Sequence, residues 1–230
     1  MLPVTLTRRQ TLAWVLLGLG SAIAGCTKTK PKRQPAEFSN VVPIPDPQTI
    51  DVEGLRKVNA EIAQRGLRRG LGSLGLKLDG QPDQSRYDWC TPKNCRTFAS
   101  TGGNGVHFSL LLLGAGKPTP AVVTNPGSGM GLSHVVGETL YEFLCLGSLR
   151  GFFALEQLQY NRDLTEMVFT DPTWVPSEKW HHSAGFVPDE EDREVLDYLT
   201  RRLSLRHWAD PKRFQELDKK YAPALIHPKG

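Results

Sequence analysis

The chain has 230 residues, 39% of them hydrophobic and 23% charged, which excludes a disordered or fibrous protein and fits one domain of average size. Its net charge of +4 includes Arg8 and Arg9 of an expected leader, without which 26 basic side chains face 24 acidic ones. That balance speaks against nucleic acid as a partner, because nucleic-acid binding calls for a clustered basic face.

Residues 1–25 read as a signal peptide. Thr7-Arg8-Arg9-Gln10-Thr11-Leu12 resembles a twin-arginine export motif, and Leu12 to Ala24 follows as an apolar run. That run is too short for a stable membrane span, which needs about 20 residues, so it is a signal h-region. Ile23-Ala24-Gly25-Cys26 resembles the lipobox of bacterial lipoproteins, where the cysteine becomes an acylated N-terminus. The expected partner at this end is membrane lipid, held by acyl chains at about 0.8 kcal/mol per buried methylene. The implied location is the cell envelope, anchored to a membrane and facing the periplasm or exterior. Residues 26–46 are basic and then Pro-rich, with too little apolar surface to offset the entropy of ordering, and read as a tether.

From residue 47 to 230 the patterning is that of a single α+β domain. Val52, Leu55, Val58 and Ile62 recur at spacings of three and four and predict a helix over 51–65. A glycine-punctuated stretch follows, with a short strand expected around Leu74 to Leu78. Cys90 and Cys95, in a turn-forming context, are expected to form a small disulfide in an exported protein, with free thiols as the alternative. No second cysteine pair or histidine cluster at zinc spacing accompanies them, so no metal or other cofactor is implied.

Residues 96–100 and 106–113 predict two strands joined by Thr101-Gly102-Gly103-Asn104-Gly105, whose glycines supply the positive φ of a tight hairpin. Val106, Phe108 and Leu110 alternate with His107 and Ser109, which suggests an apolar face and a polar one. Ala121 to Thr124 is a third strand, so a small, mainly antiparallel sheet is expected over about 96–125. Val136, Leu140, Phe143 and Leu144 return to helical spacing, and a short helix over 151–160 follows. Asp189 to Leu203 is a helix with acids in its first turn and Arg201 and Arg202 near its end, matching the macrodipole. Asp210-Pro211 is expected to start another, with Phe214, Leu217 and Tyr221 on one face.

Three features offer candidate chemistry. Gly127-Ser128-Gly129-Met130-Gly131 lies between a strand and a helix but lacks the lysine of a phosphate loop and the glycine spacing of a nucleophile elbow. His134 and Glu138 stand four apart, a spacing that lets two side chains of one helix meet a cation, yet no HExxH pattern surrounds them. Trp180 and His181 sit among other aromatic residues, as a surface binding patch does, though tryptophans more often cover a core edge.

The ordered pieces FASTGGNGVHFSLLLL, AVVTNPG and ETLYEFLCL resemble the central part of the SUKH superfamily, whose members occur as immunity or interaction proteins. The Gly-rich turn Thr101 to Gly105, the strand Ala121 to Thr124 and Glu142-Phe143-Leu144 carry the likeness over about fifty residues. The resemblance implies an α+β fold that binds another protein through its sheet or the loops at its edge. The sequence thus points first to a non-enzymatic, surface-anchored interaction protein. The binding face would comprise Gly102, Gly103, Asn104, His107, Ser109, Trp180 and His181. The competing expectation is an exported hydrolase or metal-dependent enzyme using His134, Glu138 and Ser128.

Overall fold

The computed structural model describes residues 49–128, 132–158, 160, 162–174, 187–208, 210 and 212–229. The expected signal peptide and tether, with Arg8, Arg9 and Cys26, lie outside them, as does the aromatic loop with Trp180 and His181.

The fold is α+β. A five-stranded antiparallel sheet follows chain order: β1 (Lys77–Leu78), β2 (Cys95–Ser100), β3 (His107–Leu111), β4 (Ala121–Asn125) and β5 (Leu132–Gly137). Helices precede and follow it: α1 (Val52–Gln64), α2 (Leu140–Gly147), α3 (Arg162–Thr170), α4 (Glu190–Leu203) and α5 (Arg213–Tyr221). The expected sheet over 96–125 is therefore the centre of a wider one, extended by a strand at each edge.

β5 departs from the expected helix. Val135 and Val136 are β-branched and fully buried, which suits a strand covered on both faces. The helix begins only after Thr139, whose side chain accepts the Glu142 N–H, while the Glu142 carboxylate reaches back to the Glu138 N–H. This Thr-x-x-Glu pattern is a helix start signal closely related to the capping box. Gly137 makes the join compact, because a Cβ there would lie 2.7 Å from the Phe143 backbone nitrogen.

Phenylalanines tie α2 to the sheet. Phe108 of β3 meets Phe143 of α2 at 5.1 Å between ring centroids, and Phe143 stacks on Phe152 at 4.6 Å. Phe108, Phe143 and Phe152 are fully buried, and buried area of this kind is the main favourable term in folding. Residues 153–157 form a 3₁₀ turn rather than an α-helix, and Gly151 before it adopts φ +80°.

α1 presents Leu55, Val58 and Ile62 to the core and packs near α4, to which Glu61 is pinned by Tyr198 and Arg202. α4 opens with the capping box Asp189/Asp192 and buries Val195, Leu196, Leu199 and Leu203. α5 buries Phe214, Leu217 and Tyr221 as expected, but its N-cap is Lys212; Asp210 acts one step earlier, accepting the Lys212 N–H. Among the described residues no helix is long and apolar enough to cross a membrane.

Candidate functional site

The β2–β3 turn takes positive φ at two of its three glycines. Gly102 (φ +86°), Asn104 (φ +52°) and Gly105 (φ +70°) all take positive φ, whereas Gly103 does not. The Val106 N–H donates to the Gly103 carbonyl and the Thr101 N–H to the Val106 carbonyl. Gly105 is wedged in place: a Cβ there would stand 3.1 Å from Pro126 Cγ and 3.4 Å from Tyr87 Oη.

Beside this turn a cleft of about 260 Å³ opens, bounded by Lys77 and Asp79, by Ser85 and Tyr87 of the following loop, and by Ser100 and the glycines. The loop is held by Asp79, which is buried and accepts from the Ser85 N–H, the Ser85 hydroxyl and the Thr97 hydroxyl. Asp83, at φ +59°, accepts the Thr97 N–H from the same loop. The Asp79 charge is thus spent on the chain itself, as a buried carboxylate must be.

His107 forms the wall behind the turn. Its Nδ1 lies 2.8 Å from the Gly105 carbonyl, which can only accept, so Nδ1 carries the proton and Nε2 accepts from the Thr91 hydroxyl at 2.9 Å. Thr91 in turn accepts the Tyr87 N–H, and the Tyr87 ring stands 5.5 Å from the imidazole. Burial pushes His107 below its ordinary value, and the bond to Gly105 offsets this only in part. The imidazole is therefore neutral at pH 7 and serves as a brace.

This arrangement divides the expected binding face. Gly102, Gly103 and Asn104 line the cleft. His107 and Ser109 do not belong to a surface at all: both are fully buried, because residues 79–94 cover the face of β3 expected to be polar and open. Lys77, Ser85 and Tyr87, which complete the cleft, were not singled out in the sequence. Only chain folding brings them to a turn some 15 to 25 residues further along. Tyr87 is 41% exposed, a large ring left open at the cleft wall.

Cys90 and Cys95 are free thiols, both buried, and the expected disulfide between them is not formed in this structure. Burial pushes the Cys95 thiol up to about 12. Such a group is inert rather than nucleophilic.

His134 and Glu138 do not converge on one cation. His134 stands on β5 and its Nδ1 pairs with Asp218 of α5 at 3.0 Å, with Arg162 of α3 on the same carboxylate. Glu138 instead takes Lys220, Arg213 and the Tyr221 hydroxyl. β5 carries His134 and ends at Gly137, so Glu138 lies just past an extended segment, which spans about 13 Å over four residues where a helix would have stacked them. Among the described residues no group of three His, Cys, Asp or Glu side chains could hold a metal ion. The side chain of Ser128 lies outside the described part.

Compared with protein-family models, with curated proteins and with solved structures, the chain has no match.

Proposed function

We propose that this chain is an exported, lipid-anchored bacterial envelope protein whose folded part is a non-enzymatic interaction module of the immunity type, receiving a protein partner at the cleft beside the β2–β3 turn. The observation that carries this is the exposed Tyr87 ring standing in a polar cleft against an open glycine turn. Exposed tyrosines at a rigid wall are typical anchors of protein interfaces. A cleft of about 260 Å³ also falls below the roughly 300–1,000 Å³ usual for enclosed small-molecule sites. Acylation at Cys26 would hold the module at the membrane surface.

A photo-crosslinking residue in place of Tyr87, with one in place of exposed Met167 as the control, tests the partner in intact membranes. A discrete adduct from position 87 and none from 167 is expected. No adduct at 87, or the same products from both positions, would remove the cleft as the binding site. Mass spectrometry of the mature N-terminus tests the anchor, and an unmodified chain starting elsewhere than Cys26 ends it.

One observation favours a hydrolase instead. His134 pairs with Asp218 through Nδ1, which the Arg162 guanidinium also approaches at 3.1 Å, while its Nε2 is buried and has no hydrogen-bond partner among the described residues, a pairing similar to that of a general base. A fluorophosphonate probe discriminates: covalent labelling of one serine, lost in H134A, would favour the hydrolase, and an unlabelled chain would leave the interaction module.

A further inference from the structure

Resting on the cleft as the binding site, we infer that it is a carboxylate receptor, built to take an acidic side chain of an extended protein segment.

The first ground is an unspent set of donors. None of the four consecutive N–H groups of Gly102, Gly103, Asn104 and Gly105 finds an acceptor among the described residues. The turn uses only its carbonyls: Gly103 accepts from Val106 and Thr101, and Gly105 accepts from His107. Successive backbone N–H groups in a turn with left-handed residues form a concavity suited to an anion. At Gly102 and Gly103 nothing beyond the adjoining residues except the Lys77 stem comes within 4 Å of an added Cβ, so the turn has open space beside it.

The second ground is a lysine whose stem lies beside the turn. Lys77 pairs with Ser100 across the β1–β2 ladder, and its Cδ lies 3.8 Å from the position of a Cβ on Gly102. Its ammonium has no carboxylate or hydrogen-bond partner among the described residues. The arginines near by are engaged elsewhere: Arg86 with the Cys95 carbonyl and Asp88, and Arg56 with the Asp79 carbonyl and Glu53.

Charge decides between anions. One unpaired ammonium matches a singly charged carboxylate. A phosphate dianion would bring a second negative charge that no further cation of the cleft lining answers. The exposed Tyr87 ring supplies an apolar wall for the methylenes of a glutamate, with the partner's backbone continuing past it.

The test is an amide NMR titration of the full-length chain in detergent micelles, with capped hexaglutamate, capped hexaglutamine and inorganic phosphate as probes. Hexaglutamate is expected to shift the amides of Gly102 to Gly105, hexaglutamine is not, and K77A is expected to weaken hexaglutamate about tenfold. Lys77 is exposed, so K77A should leave the rest of the spectrum in place. Equal shifts from hexaglutamine, equal shifts from phosphate at the same concentration, or an unchanged affinity in K77A would each overturn the inference. If hexaglutamate does nothing while position 87 still captures a partner, the carboxylate receptor falls and the interaction module stands. If hexaglutamate binds and position 87 captures nothing, the turn still binds carboxylate, but the protein segment as its source falls together with the interaction module.

Discussion

Asp218 of α5 accepts the backbone N–H of Val135 in β5 at 2.8 Å, so a helix side chain closes the outer edge of the sheet. β5 is the last strand in the order, and an open edge is a template for pairing with other chains. The other Asp218 oxygen gathers His134 and Arg162, which fastens β5, α3 and α5 at one carboxylate.

Removing that carboxylate should be costly. D218A leaves the Val135 N–H and the Arg162 guanidinium without their acceptor and is expected to lose about 3 kcal/mol in urea unfolding. D218N keeps an acceptor for Val135 and should lose less. A D218A loss under about 0.5 kcal/mol, the range of ordinary surface changes, would mean the edge is held by something else.

Glu138 sets an acid limit. Hydrogen bonds from Lys220, Tyr221 and Arg213 outweigh its partial burial and hold its carboxyl at about 2, from an ordinary 4.5. Between these values the unfolded chain binds a proton that the native chain does not, so this contribution is complete above pH 4.5 and is lost as pH falls toward 2. The parent should lose stability across that window and E138Q should lose less, as read from thermal midpoints at pH 6, 4 and 3.

His107 acts at higher pH with the same sign. Its folded value is depressed by burial, so below about pH 6.5 the unfolded state takes up a proton that the native state refuses. Stability should therefore decline on going from pH 7 to pH 5. H107L is expected to start about 2 kcal/mol lower, because the Thr91 hydroxyl and the Gly105 carbonyl lose their partner. Its unfolding free energy should then lack the decline over the same interval. An unchanged slope would show that other groups cause it.

Two glycines should answer an alanine differently. At Gly151 the φ of +80° strains any side chain and a Cβ would lie 2.6 Å from the Leu74 carbonyl oxygen, so G151A should cost about 2 kcal/mol or more. At Gly103 nothing lies within 4 Å, and G103A should stay within about 0.5 kcal/mol. Chemical denaturation of the two variants checks both.

Local signals were legible where one segment supplies its own answer. The helices at 52–64 and 190–203 follow from apolar residues at spacings of three and four and, in α4, from the acids that cap it. The hairpin follows from Gly102, Asn104 and Gly105, since few other residues take positive φ cheaply. β5 departs from the helical expectation although Val136, Leu140, Phe143 and Leu144 do fall at helical spacings. The break lies at Gly137 and Thr139, where a tight approach and a cap, not periodicity, end one element and begin the next. No sequence expectation covers the helix at 162–170.

By itself, the sequence determined the α+β class, the main helices, the hairpin and the glycine turn, because each depends on neighbours along the chain. It also holds the stretches that resemble export and lipid-attachment motifs, which lie outside the described residues. Tertiary structure decided which polar groups are available. Alternation alone would have left His107 and Ser109 open, but residues 79–94 bury them, and the same loop sets Tyr87 beside the turn. A period of two says that a side chain points away from the core face; whether another segment covers it depends on contacts distant in sequence.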